Sequence, residues 1–477
     1  MKNKDKVIIV LAMFIIFAIL SWIIPVGIYN VGEEATVLST ESGIMRISIL
    51  EILYLIPFAI NYVANDLIYL FVIGGLYGVL SKAKAYRKLV SNTVRLINGK
   101  EHYAMLIVTL LMGIYVSISN NIMSLLWIVP FIITVFLKRG KDRLTALSAG
   151  FGGIFIGTIG LTFGTYGVDI MNSQFGLSVS DGMVYKVILF IGAYALFNLF
   201  AILHMNKQEK IVNEVKHDMF ATTKLSEEES KKKSLVWPTV VVLAFAFIFA
   251  ILGYIDWVGS FNVEIFDKFH TELNSFYIGE LPIFKSLISG ESMYQVAGFG
   301  TWVDMLPLAF ILLLASFIIA LVNKMSFKEY LDNFSKGILS FNRVVFIYVM
   351  LISILVVCGV FTWPLTILDK LLPESFNLFT LLIFAILVAV FYCQQGISTS
   401  LLVPVLASRF ANNLAVTGII MHFGFALVQV VAPTSLMLMM ALTYLDVPYK
   451  SWLSYIWKFA LSILGVFLLV MAIGCYM

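Results

Sequence analysis

Two polar knots stand inside stretches that are otherwise apolar, "SISNNIMS" at 117–124 and "QQGISTS" at 394–400. Buried polar groups without partners are costly, and in hydrocarbon the protein itself must supply those partners. Two further apolar stretches are interrupted near their middles, by "LTFGTYG" at 161–167 and "VAPTS" at 431–435. A helix that stops at mid-membrane leaves backbone N–H or C=O groups unpaired. Its N-terminal end then suits a carboxylate, whereas carbonyl ends and side-chain oxygens suit sodium. The candidate residues at the first knot are Ser117, Ser119, Asn120, Asn121 and Ser124, with Thr162, Gly164, Thr165 and Gly167 at the first break. At the second knot they are Gln394, Gln395, Gly396, Ser398, Thr399 and Ser400, with Ala432, Pro433, Thr434 and Ser435 at the second break. Pro433 lacks an N–H donor and so helps to define its break; Gly396 permits a geometry or a close approach that other residues resist. One Ser or Thr alone reads as a helix–helix hydrogen bond. Four clusters in matched pairs read as a binding site.

Few ionisable groups fall in or near the apolar stretches: Asp66, Asp169, Asp304, His422 and Lys458. His422 lies seven residues before Gln429, on a shared helical face, and is a candidate contact for substrate or proton. Asp66 and Asp304 read as solvated caps at the outer ends of their spans, and Lys458 as a snorkelling or paired lysine. Neither knot holds an Asp or Glu, which favours neutral oxygen donors over a carboxylate relay. No P-loop, zinc-ligand spacing or nucleophile elbow occurs, and Cys358, Cys393 and Cys475 have no pairing or metal-ligand spacing. The chemistry on offer is binding; neither an enzyme nor a resident cofactor is expected.

The elements that must hold these residues are membrane helices. Of 477 residues, 60% are hydrophobic and only 13% charged, against about 25% charged in soluble domains. A net charge of +4 gives no support to nucleic-acid binding. Spanning stretches are read at 7–24, 63–82, 183–204, 238–256, 304–323, 345–362 and 451–476. The first is taken as a transmembrane helix rather than a signal peptide. The stretches around the knots, 103–137 and 379–411, offer roughly 15 residues on each side, short of the ~20 needed to span. Each is therefore expected to be a re-entrant hairpin. The regions 144–175 and 415–446 are expected to be broken helices, and 84–98 and 327–343 amphipathic segments along the inner surface. With the N-terminus inside, 25 of the 32 Lys and Arg residues fall on the cytoplasmic side, as the positive-inside rule requires.

Sliding the first knot forward by 274 positions sets Asn120 and Asn121 on Gln394 and Gln395, Ser124 on Ser398 and Pro130 on Pro404. With a small gap, Gly164 and Thr165 then fall on Thr434 and Ser435. The extra span at 238–256 turns the second copy upside down, the pattern of an inverted-repeat transporter. The expected organisation is a first membrane repeat (1–204), a flexible cytoplasmic linker (205–237), a linking helix (238–257), and an extracellular segment with the inverted second repeat (258–477). The fold class is an all-α polytopic membrane protein with two re-entrant hairpins and two broken helices.

The stretches "SWIIPVG", "FVIGGLYGVL" and above all "GISTSLLVPVLA", "VVAPTSLMLMMALTYLDVPYKSWL" carry a resemblance. The chain resembles the C4-dicarboxylate anaerobic carrier-like, or YfcC-like, family of the ion transporter superfamily. That resemblance implies a homodimeric secondary transporter of small carboxylates or amino acids, with 394–400 and 433–435 lining the substrate or ion site. The sequence departs from the family in having "SISNN" at the first tip and "FGTYGV" at the first break. The expected function is ion-coupled transport of a small carboxylate-bearing metabolite, an amino acid or a C4-dicarboxylate, in a bacterial-type inner membrane. Sodium or protons are the expected coupling ions. Basic amino-acid exchange and an ion or solute channel are the alternatives.

Overall fold

Apolar segments in a bilayer must close their backbone hydrogen bonds internally, which leaves helices as the economical choice for a chain of this pattern. The computed structural model describes residues 4–31, 36–163, 168–207, 214–220, 236–289 and 296–476. The first half contains α1 (Lys4–Leu20), α2 (Ile49–Tyr62), α3 (Ala64–Lys82), α4 (Lys84–Leu96), α5 (Glu101–Ser119), α6 (Val129–Lys138), α7 (Arg143–Ile159), α8 (Val168–Gln174) and α9 (Met183–Lys207). The second half begins with α10 (Trp237–Tyr254), α11 (Trp257–Phe261), α12 (Ile265–Asn274), α13 (Leu306–Val322) and α14 (Phe327–Phe361). It continues through α15 (Trp363–Leu371), α16 (Leu378–Phe391), α17 (Gln395–Arg409), α18 (Leu414–Val431), α19 (Leu436–Tyr444) and α20 (Tyr449–Tyr476). Two short antiparallel ribbons, Ile28–Val31 with Thr36–Ser39 and Tyr277–Ile278 with Leu281–Pro282, are the strands among the described residues. Seven helical stretches among the described residues are long and apolar enough to cross a membrane.

Both knots form hairpins whose two ends meet. Arg139, just past α6, pairs with Glu101 at the start of α5 (2.6 Å) and donates to Asn98 as well. Arg409, at the end of α17, pairs with Asp369 (3.3 Å) and donates to the Leu372 carbonyl, both shortly before α16. Each hairpin thus leaves on the side it entered. Contrary to the expectation of two short arms, α5 has 19 residues and passes as a span; the joined mouth, rather than short arms, makes the hairpin re-entrant.

Helix α9 shows that the mouths face opposite ways. Its 25 residues extend about 37 Å at helical rise. Near its start Gly182 packs on Ile419, in the first two turns of α18, the helix that follows Arg409. At its other end Asn206 meets His102, beside Glu101 (2.6 Å). The Arg139 face also gathers Lys6, bonded to the Val447 carbonyl (3.0 Å), and Asn323, which accepts from the Ala85 N–H. The Arg409 face gathers Tyr29, bonded to Asp369 (3.1 Å), and Thr366, bonded to the Pro25 carbonyl (2.7 Å).

Residues 327–343 do not form a separate surface segment. They are the first part of α14, one 35-residue helix capped by a Ser326 and Glu329 box. The approach of α14 to α3 is close because both helices present glycine. A Cβ on Gly74 would stand 2.8 Å from the Gly337 carbonyl oxygen. The linker also departs from expectation. Residues 214–220 dock against the helices, with Asp218 and Phe220 buried.

Candidate functional site

Helix α5 stops because Asn120 takes a left-handed conformation (φ 50°), which Asn tolerates better than most residues. Helix α16 stops at Tyr392, and α17 starts at Gln395 with no side-chain cap from Gln394. The two tips face one cavity of about 580 Å³ that Asn120 and residues 393–397 line together. Tyr62, Asp66 and Tyr348 line it, and so do Met437 and Met440; Met440 also meets a void with Leu70 and Val344, one turn along α3 and α14 from Asp66 and Tyr348, so these two groups lie toward opposite ends. Tyr62 is exposed and its hydroxyl reaches Gln394 Oε1 (3.5 Å), so that end is the mouth, on the Arg409 face.

Each tip is fastened to the break of its own half. Ser117 Oγ donates to the Gly160 carbonyl and lies 2.9 Å from Thr162 Oγ1, while the N–H groups of Thr162 and Phe163 donate to the Ser117 carbonyl. In the second half Gln429 Nε2 donates to the Cys393 carbonyl (3.3 Å), and Ser435 Oγ donates to Gln429 while accepting from Leu438 N–H as the cap of α19. Pro433 lies in the break between α18 and α19. Gly164 and Thr165, with Gly167, lie outside the described residues.

His422 joins the two halves. Buried in α18, its Nε2 donates to the Thr158 carbonyl at the end of α7 (2.7 Å), and its Nδ1 lies 3.1 Å from Gln395 Oε1. With Nε2 donating, a neutral ring offers Nδ1 as an acceptor, so the pair is complete when the Gln395 amide nitrogen faces it. The same rotation partners Gln395 Nε2, which is buried without a partner in the orientation seen.

Other sequence candidates turn away from the cavity. Ser124 is fully buried and meets the Tyr115 hydroxyl (2.8 Å); Ser119 bonds the Tyr115 carbonyl, and Asn121 accepts from the Ser124 N–H. Ser398 donates to the Gln395 carbonyl of its own helix, whereas Ser400 does the same to Gly396 but borders the cavity. Thr399 and Thr434 are buried with hydroxyls that have no partner. Gly396 needs neither special backbone nor close approach: it is helical, and nothing lies within 4 Å of where its Cβ would be. It leaves the first turn of α17 open to the cavity.

The residue that sequence reasoning misplaced is Asp66. Rather than a solvated cap, it is a cavity residue whose Oδ2 accepts from the Tyr348 hydroxyl (2.5 Å). Asp304 does cap, accepting from the Leu306 N–H and from Asn65. Lys458 stands over the Trp457 ring (5.6 Å). Among the described lining residues Asp66 is the single charged side chain; there is no Lys or Arg.

The model of the C4-dicarboxylate anaerobic carrier family matches residues 4–476. No curated protein matches the chain. Solved structures similar to it include the Alcanivorax borkumensis YdaH transporter, at 12% identity over 98% of this chain and 97% of that one with a TM-score of 0.37. Neisseria gonorrhoeae MtrF, described with a class of antimetabolite efflux pumps, is similar at 12% identity over 98% and 94%, also at 0.37. The family match spans nearly the whole chain: the chain belongs to the C4-dicarboxylate anaerobic carrier family, and is a membrane-embedded carrier rather than an enzyme.

Proposed function

We propose that this carrier moves a small carboxylate-bearing metabolite by ion-coupled alternating access, and that the solute is an amino acid rather than a C4-dicarboxylate. The observation that supports this reading is the shared cavity, with both hairpin tips on it and Asp66 as its charged group. Its volume suits a small metabolite. A dianion would bring two further negative charges to a site that offers one carboxylate and no cation. An amine offsets Asp66 instead. The first turn of α17 supplies unpaired N–H groups and the positive end of a helix dipole for one carboxylate. Gln395, Asn120 and Gln429 add neutral donors and acceptors around it.

Asp66 favours basic amino-acid exchange equally well, so a basic and a neutral amino acid both belong in the test. A channel finds less support, because beyond Met440 the cavity gives way to a void of only about 20 Å³ rather than to an open passage. Carbonyl ends at Asn120 and Tyr392 suit sodium, whereas Asp66 and His422 suit a proton. Sodium dependence of uptake separates the two. The lysine and arginine count supports an orientation with the Arg139 face and the N-terminus in the cytoplasm, and the membrane in this reading is a bacterial-type inner membrane. The homodimer implied by the resemblance is checked by the mass of the purified protein in detergent.

Counterflow in proteoliposomes tests the reading. Vesicles loaded with unlabelled arginine or alanine should accumulate the labelled form faster than empty vesicles, and succinate should not compete. Unitary currents without trans-stimulation, or competition by succinate at equal concentration, would contradict it.

A further inference from the structure

The docked piece of the linker stands across the route from the cavity to the Arg139 face. One turn of 3-10 helix, Glu214–His217, delivers Asp218 and Phe220 into the protein, where they are 6% and 5% exposed. Asp218 Oδ2 accepts from Thr134 Oγ1 (2.6 Å), and Oδ1 accepts from the Tyr444 hydroxyl (3.2 Å) and the Phe220 N–H (3.1 Å). The Phe220 ring packs on Tyr77 (5.3 Å), Phe341 (6.1 Å) and Tyr444 (6.3 Å). These partners come from α3, α6, α14 and α19, so the segment ties both halves of the chain together. Thr134 belongs to the returning arm of the first hairpin, and Tyr444 ends the helix that follows the second break.

Behind this contact the interior is not solid. A void of about 20 Å³ lies between Met440, Val344, Phe341 and Tyr444. Met440 also lines the cavity, while Phe341 and Tyr444 also touch Phe220. Cavity, Met440, void and Phe220 therefore follow one another toward the Arg139 face. The mouth at Tyr62 lies at the opposite end of α3 from Lys82.

We propose that residues 218–220 are the gate on the Arg139 face: Phe220 plugs the route out of the cavity, and Asp218 latches the plug to Thr134 and Tyr444. Withdrawal of the segment opens the cavity to that face as the mouth at Tyr62 closes. A linker that merely joined two bundles would need neither a buried carboxylate with three donors nor an aromatic residue seated among elements of both halves. The inference rests on the carrier reading, for which it supplies the second of two gates.

The test measures access, not transport, so that it fails independently of the carrier reading. In full-length protein with Cys358, Cys393 and Cys475 replaced by Ser, Val344→Cys places one thiol in the void. Vesicles are treated with a membrane-impermeant cationic methanethiosulfonate reagent from the Arg139 face. Asp218→Ala with Phe220→Ala should raise the labelling rate about tenfold or more, the population shift expected on losing hydrogen bonds to a buried carboxylate. Ser400→Cys, labelled from the mouth in a separate variant, should still react, at a rate equal to or below that with the segment intact, and so show that the helices remain folded. An unchanged rate at Val344→Cys with normal labelling at Ser400→Cys would overturn the proposal. If the double variant does not fold, Asp218→Ala alone keeps the aromatic packing and is read the same way. Absence of counterflow in the wild type would sink the carrier reading but leave the labelling result standing.

Discussion

Replacing Asp66 with Asn isolates the charge on which the amino-acid reading depends. The amide keeps the size of the carboxylate and can still accept from Tyr348, now bonded at 2.5 Å. What is lost is one negative charge facing the cavity. An ammonium about 4 Å from it would gain roughly 4 kcal/mol at an effective dielectric near 20. Stripping water from the amine takes back part of that, leaving about 2 kcal/mol, in the range measured for charge-assisted hydrogen bonds. The expected result is a loss of about thirtyfold in affinity for the amino acid. Calorimetric titration of purified protein, at matched thermal midpoint, reads it directly. A dicarboxylate should show the opposite trend, binding Asp66→Asn more tightly than the wild type. Unchanged amino-acid affinity in a folded Asp66→Asn protein would refute the charge argument.

Opening the mouth of the first hairpin should cost stability. Arg139 and Glu101 are 18% and 8% exposed, so Arg139→Ala strands a carboxylate and should destabilise by about 2–4 kcal/mol. Exchanging the two residues should recover part of that in a thermal melt. Gly337→Ala drives a methyl group into the backbone of Gly74 and should cost about 1–3 kcal/mol, visible as a lower unfolding midpoint. Asn120→Ala should lower counterflow, whereas Ser398→Ala should leave it near wild type, because Ser398 Oγ is spent on its own helix. Burial raises the Asp218 carboxyl above its usual value of 3.8, while the hydrogen bonds from Thr134, Phe220 N–H and Tyr444 and the charge of Lys138 pull it down. A group raised on docking takes up a proton as it docks, so docking is strongest below 3.8 and weakens as pH rises through the raised value. Labelling at Val344→Cys, divided by that at Ser400→Cys to remove the thiolate fraction, should therefore increase with pH over that range, and Asp218→Asn should flatten the ratio.

The hairpins and breaks were legible because hydrocarbon leaves no room for stray polar groups. "SISNN" and "QQGISTS" had to mark helix ends or a site, and the helices do end at Ser119, Phe391 and Val431. Residue type alone could not say which side of a helix faces the cavity. Ser124 and Ser398 match in the repeat yet point into packing or at their own backbone. Asp66 at the start of a span looks identical whether it meets water or a cavity, and its partner Tyr348 is 282 residues away. The charges in 327–343 suggested the membrane surface, but Gly337 packing on α3 keeps that stretch in one continuous helix. The docked linker left one faint signal, Met219 and Phe220 just after Asp218 in a largely polar run.

The whole account depends on two hairpins entering from opposite faces and meeting at one cavity. Single cysteines at Lys141 and Lys370, beside the two mouths, test this in sealed vesicles of known orientation with an impermeant maleimide. The account predicts that each is labelled from one side only, and that the two sides differ. Labelling of both from the same side would contradict it.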